Sequence, residues 1–132
     1  MKAREYNCKA GCPVEATLDL IGGRWKGVVL YNLIDGPVRF NELRRQIPGA
    51  TQRVLTRQLR ELEAVGMISR TVTPSIPPRV DYELTELGRS LSPVIAALRD
   101  WGAEYLEEMK ARRASAVVEP GAREPLQPVA AE

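Results

Sequence analysis

The stretch that most restricts the fold is residues 47–66, IPGATQRVLTRQLRELEAVG, in which a proline–glycine turn runs straight into a capped amphipathic helix. Pro48-Gly49 ends whatever precedes it. Thr51 can cap the new helix, Val54, Leu55, Leu59, Leu62 and Val65 recur at helical spacing, and Gly66 stands where a left-handed residue closes it. A helix of this kind must bury one face against the rest of the chain. Its other face carries Gln52, Arg53, Thr56, Arg57 and Arg60, with no acid before Glu61. These are side chains that bond base edges and phosphates. Taken alone, the face has two readings: a probe for DNA, or an ordinary solvated helix surface.

The flanking segments bear on that choice. Val38-Arg39-Phe40 is a short extended piece, and Asn41 is placed to cap a helix over residues 42–46, with Phe40 and Leu43 inward and Arg44 and Arg45 outward. Two short helices joined by a tight turn form a helix-turn-helix arrangement. Beyond Gly66, residues 67–73 alternate imperfectly and are rich in β-branched types, whereas residues 80–84 alternate strictly, with Val80, Tyr82 and Leu84 on one face. This pattern predicts a β-hairpin. Its loop, PSIPPR at 74–79, contains three prolines and ends on Arg79, so it is stiff and carries a cation near its tip. A hairpin after a helix-turn-helix is a wing, and this context favours DNA over the solvated surface.

The outer parts of the chain complete the outline. Residues 1–11 are polar and basic and read as a flexible arm. Pro13 opens a first helix with Cys12 at or beside its N-cap, and Val14, Leu18 and Ile21 form a stripe that stops at Gly22-Gly23. Residues 24–35, RWKGVVLYNLID, read as a second helix, apolar nearly all round through Trp25, Val28, Val29, Leu30, Leu33 and Ile34, and closed by Gly36-Pro37. It is expected to be the most buried helix. From Thr85-Glu86 a last helix places Leu87, Leu91, Val94, Leu98, Trp101 and Tyr105 at intervals of four, three, four, three and four, a heptad seam that calls for a partner helix. Pro93 is expected to kink or restart that helix near Ser92. From Ala114 onward proline and small residues dominate, so 114–132 reads as a disordered tail and 12–113 as one domain. The fold class is mainly α with a small β-hairpin wing, dimerising through terminal helices.

Composition narrows the chemistry. The formal net charge is only +2, yet residues 36–82 hold eight arginines against four acids, so positive charge is concentrated mid-chain, which favours a polyanionic partner. A net of +4 is modest for binding nucleic acid by charge alone, so selective contacts must add to it. The absence of histidine removes Ser-His and Cys-His nucleophilic catalysis and any His-containing zinc site. With no glycine-rich phosphate loop or paired-carboxylate constellation either, the chain reads as a non-enzyme needing no cofactor. No apolar run is long enough to span a bilayer and MKAREYNCKAGC lacks the core of a signal peptide, which predicts a cytoplasmic protein. In that compartment Cys8 and Cys12 are inert or redox-reactive thiols rather than a constitutive disulfide.

Three separated stretches, CPVEATLDLIGGRWK, RFNELRRQIPGATQRVLTRQLRELEAVGMISR and PPRVDYELTELGRSL, together resemble the HxlR family of bacterial winged helix-turn-helix transcription regulators over about residues 8–105. The motifs occur in the right order, although LTELG alone is shared with MarR-type proteins. The resemblance implies a homodimer on palindromic operator DNA, repression, residues 51–65 in the major groove and the loop near Ser75–Arg79 as wing. Some members of the family sense quinones, aldehydes or oxidants through a cysteine just before the first helix, and Cys12 occupies that position, whereas Cys8 has no clear match. The implied partners are double-stranded operator DNA, a second copy of the chain and a small electrophile or oxidant.

The candidate DNA-binding residues are therefore Thr51, Gln52, Arg53, Thr56, Arg57, Arg60 and Arg79, with Thr56 assigned to phosphate. Arg70, Arg39, Arg44 and Arg45 are further phosphate candidates, although Arg44 and Arg45 could equally pair with Glu42 or Glu61. Cys12 is the candidate redox sensor: the helix N-terminus and Lys9 favour its thiolate, while the alternative is a small buried hydrophobe and a C-x-x-x-C metal site has no further soft ligand. Leu18, Leu91, Val94, Leu98, Trp101 and Tyr105 are the expected dimer interface. Trp25 reads as core or interface packing rather than a ligand-stacking ring. The alternative function is a winged-helix interaction module that dimerises without reading DNA.

Overall fold

In the computed structural model, which describes residues 11–116, the elements run α1 (Cys12–Ile21), α2 (Lys26–Asn32), β1 (Val38–Arg39), α3 (Phe40–Gln46), α4 (Gln52–Ala64), β2 (Ile68–Thr73), β3 (Arg79–Leu84), α5 (Glu86–Ser90) and α6 (Ser92–Ser115). The expected N-terminal arm up to residue 10, with Cys8 and Lys9, and the expected tail from 117 lie outside the described residues. The chain divides into two compact units between Ala97 and Leu98.

The helix at 52–64 forms for the reasons its sequence states. The Thr51 hydroxyl accepts the Val54 N–H at 3.1 Å, satisfying one of the otherwise unpaired donors of the first turn. At the other end Gly66 takes φ 79°, and the Gly66 and Met67 N–H groups donate back to Glu63 and Leu62 at 3.0 Å each. That reciprocal pair is a Schellman closure, which only glycine enters without strain.

Several expectations are corrected. The hairpin is part of a three-stranded antiparallel sheet of order β1-β3-β2, in which Val38 pairs with Tyr82 and Arg39 with Asp81 on the far edge of β3. A two-residue strand is too short for alternation to register, and it forms because β3 offers an open edge. Arg79 lies not at the loop tip but at the first rung of the ladder, opposite Thr73. Asn41 does not cap α3: the helix begins at Phe40, with Arg39 as N-cap and no side-chain cap, because β1 turns directly into it. The second helix is shorter than 24–35. Leu33, Ile34 and Gly36 donate to carbonyls three residues back, so the segment tightens into turns before Pro37. Nor is it apolar-buried all round, since Val28 and Tyr31 are exposed.

The restart at Pro93 is as expected: α5 ends at Ser90 and α6 begins at Ser92, running on to Ser115 past the expected boundary at 113. What the heptad pattern concealed is Ile95, which is 4 % exposed and joins the core from off the seam. Leu91 packs against the same core of its own chain.

That core gathers Val29, Leu30 and Leu33 of the α2 region, Leu43 and Ile47 of the α3 region, Leu55, Leu59 and Leu62 of α4, and Met67, Ile68, Tyr82 and Leu84 of the sheet. No polar side chain is buried among the described residues. One junction ties the end of α4 to the start of α5. The Thr85 hydroxyl donates to the Gly66 carbonyl at 2.5 Å and accepts the Gly88 N–H at 3.1 Å, and the Thr85 N–H donates to the Met67 carbonyl at 3.1 Å. Helix α4 therefore ends on a fixed footing.

Candidate nucleic-acid interface

Helix α4 separates its faces sharply. Leu55, Leu59 and Leu62 are buried in the core, while Gln52, Arg53, Arg57 and Arg60 are exposed and Thr56 is half-buried between the two sets. Gln52, Arg53, Thr56, Arg57 and Arg60, together with Glu61, line one shallow depression. Thr51 stands at its head as the helix cap. Five of the sequence-predicted residues are thus brought together on one exposed, basic face of a helix, the kind of face a major groove accepts.

Glu61 limits that surface. Its carboxylate receives the Lys26 ammonium at 2.9 Å and lies 3.6 Å from Arg57 Nε. The hydrogen bond from Lys26, opposed in part by desolvation and assisted by the charges of Lys26 and Arg57, holds the Glu61 carboxyl below the usual glutamate range. Arg57 is nonetheless largely in solvent, so an i,i+4 pair of this kind costs little to exchange for a phosphate. Arg53 and Arg60 pair with no acid among the described residues.

The wing cations are less free than the sequence suggests. Arg79 Nε donates to Asp81 at 3.0 Å along β3, an arrangement that two-residue alternation allows and that loop reasoning overlooked. Arg39 stands opposite that same Asp81 across the β1–β3 ladder. Arg45 pairs with Glu42, one of the two alternatives left open by the sequence, whereas Arg44 and Arg70 are exposed without a carboxylate partner among the described residues. An open groove runs between α3 and the wing, with Arg39, Arg44, Arg45 and Arg79 along its lining.

Cys12 is the first residue of α1 and half-buried, with Gly11 as N-cap, one position further into the helix than a capping role requires. On the expected dimer surface, Leu18 is 56 % exposed, Val94 40 %, Leu98 53 %, Trp101 57 % and Tyr105 36 %. The Trp101 and Tyr105 rings sit 4.9 Å apart, one helical turn from each other. Trp25 is half-buried against the α3–α4 turn, with the Arg24 guanidinium 4.7 Å above its ring. Periodicity carried no sign of that stack. Among the described residues no helix is long and apolar enough to cross a membrane.

With this geometry in place, the likeness to known proteins is informative. The sequence profile of the HxlR-like helix-turn-helix family matches residues 20–110. The HTH-type transcriptional regulator YdeP of Bacillus subtilis (strain 168) is 59 % identical over 99 residues, covering 75 % of this chain and 77 % of its own. YybR, an HTH-type transcriptional regulator of the same strain, is 50 % identical over 117 residues, covering 89 % and 94 %. Among solved structures, the redox regulator HypR in its reduced form superposes with a TM-score of 0.71 at 52 % identity, over 75 % of this chain and 98 % of that one. These relatives are regulators and not enzymes, and the neighbouring solved structures include winged-helix proteins of the MarR family. The chain belongs to the HxlR-like helix-turn-helix family of transcriptional regulators.

Proposed function

We propose that this regulator acts in the cytoplasm as a homodimeric repressor, placing the α4 helix of each chain in successive major grooves of a two-fold symmetric operator. The observation that carries this reading is the single exposed face on which Gln52, Arg53, Thr56, Arg57 and Arg60 converge above a rigidly capped helix. The solvent-facing apolar residues Val94, Leu98, Trp101 and Tyr105 of α6, with Leu18 of α1, support pairing of two copies. Half-sites are then expected about 34–36 Å apart, one turn of the double helix. Arg79, Arg44 and Arg70 assist as backbone contacts. A winged-helix interaction module would pair in the same way but would have no use for the basic face of α4.

Gel-shift titration on the DNA upstream of its own gene tests the reading. The parent should prefer that DNA to a scrambled duplex, and Arg57→Ala should weaken binding; equal affinity for both duplexes, or an unaffected Arg57→Ala, would sink it.

The regulatory step we propose is alkylation of the Cys12 thiolate by an electrophile such as a quinone, or its oxidation together with a second thiol to a disulfide by a two-electron oxidant such as diamide. Support comes from its place at the first turn of α1 and from the likeness to HypR, a redox regulator seen in oxidised and reduced forms. Modification there would alter the pairing of the two chains and so the separation of the two α4 helices. Diamide or a quinone should release DNA from the parent and not from Cys12→Ser; equal release from both would remove Cys12 from the mechanism.

A further inference from the structure

Residues 24–26 present three consecutive side chains that meet three different things. Trp25 lies against the turn that opens α4: a methyl group built on Gly49 would come within 2.7 Å of Trp25 Cη2. Lys26 reaches Glu61 on α4 at 2.9 Å. The entry to α2 is therefore fixed to the DNA-facing helix at two points, one before its first turn and one in its third. Arg24 takes part in neither contact. It is exposed, its guanidinium carbon lies 4.7 Å from the centroid of the Trp25 ring, and it pairs with no carboxylate among the described residues.

An arginine stacked on an indole keeps its N–H donors at the periphery of the stack, where a phosphate can accept two of them. The stack also narrows the rotamers available, so less freedom is lost when the phosphate arrives. Lys26 and Arg57 share Glu61, which dilutes their charge, whereas Arg24 and Arg53 have no such partner. A chain with modest net charge can gain backbone affinity by holding a few cations in place.

We infer that Arg24 grips a DNA backbone phosphate beside the turn that opens α4, and that Trp25 is the positioning residue that holds it there. The inference rests on the reading of α4 as the DNA-facing helix. It gives Trp25 a purpose beyond packing and adds to the interface a residue outside the helix-turn-helix and the wing.

Fluorescence anisotropy with the full chain, on upstream and scrambled duplexes over a range of salt concentrations, tests it. A phosphate contact has no sequence preference, so Arg24→Ala should weaken both duplexes by the same factor. Counterion release sets that factor at roughly eightfold per bound chain at about 0.1 M salt, with the slope of log K against log salt flattened by about one unit per chain, hence by about two for a homodimer. Trp25→Leu should reproduce much of the loss, and adding Arg24→Ala to Trp25→Leu should then change little. A purely structural Trp25 would leave the effect of Arg24→Ala undiminished in that background. If Trp25→Leu fails to fold, the Arg24→Ala arm decides alone. Parent-like affinity and slope in Arg24→Ala, alongside weakened Arg57→Ala, would overturn the inference and leave the α4 reading standing; loss of effect in both would overturn the reading beneath it.

Discussion

Replacing Gly88 by alanine sets two effects of opposite sign against each other. Gly88 lies inside α5, where alanine is the better helix former by about 1 kcal/mol, so local propensity predicts a more stable protein. The packing predicts the reverse. A Cβ at Gly88 would overlap the Met67 carbonyl oxygen and lie 3.2 Å from both the Met67 carbonyl carbon and Leu84 Cδ2. The oxygen is backbone and cannot rotate away, and Met67 is fixed by its own N–H bond to Leu62. Relief must come from moving α5 off the end of α4, which strains the bonds from Thr85 to Gly66 and Met67. Overpacking of this kind costs about 1–3 kcal/mol and each weakened bond about 1 kcal/mol. Subtracting the propensity gain leaves a net destabilisation of roughly 2–4 kcal/mol, or a fall in Tm of about 10 °C or more for a domain of this size. Thermal unfolding followed by circular dichroism measures it, with urea unfolding as a check on cooperativity. A variant as stable as the parent, or more stable, would refute the junction between α4 and α5 as the structure describes it.

Further outcomes follow from the same contacts. Thr51→Ala removes the cap on α4 and should cost about 1 kcal/mol in urea unfolding, whereas Thr51→Ser should restore most of it. Because the Glu61 pKa is lowered in the folded chain, its contribution is present above the ordinary glutamate range and lost as pH falls through the folded value. The parent should therefore exceed Glu61→Gln by at most about 1 kcal/mol near neutrality, and the two unfolding curves should converge in acid; a gap that widened with acidification would contradict the pairing with Lys26. Trp101→Glu places a charge on the exposed α6 surface and should give a folded monomer by sedimentation; a dimer unchanged in mass would move the proposed interface elsewhere.

How much of this was legible in the chain depended on whether the determining contacts were local. The limits of α4 were, because Thr51 and Gly66 act within one turn of their own positions and the leucines between them repeat with the helix. The restart at Pro93 was legible for the same reason. The extended conformation of Val38–Arg39 was legible, but its pairing was not, because two residues carry no period and the strand exists only through its pairing with β3. Ile95 was hidden by a heptad pattern that described the exposed side of α6 better than the buried one. Which side chains share the exposed face of α4 followed from helical spacing, but the electrostatics of that face depend on Lys26, which lies 35 positions before Glu61 and comes beside it only in the folded chain. The stack of Arg24 on Trp25 against Gly49 and the fit of Gly88 under Met67 are likewise meetings through space.

If a pair of α4 helices reads DNA in the major groove, dimethyl sulfate probing of guanine N7 detects it, because that atom lies on the major-groove edge alone. On the upstream DNA the parent should protect two clusters of guanines centred about 10 base pairs apart, as two recognition helices one helical turn apart require, and Arg57→Ala should weaken both clusters together. Tight binding with no N7 protection would contradict the account, since the face formed by Gln52, Arg53, Thr56, Arg57 and Arg60 would then be touching the backbone without entering the groove.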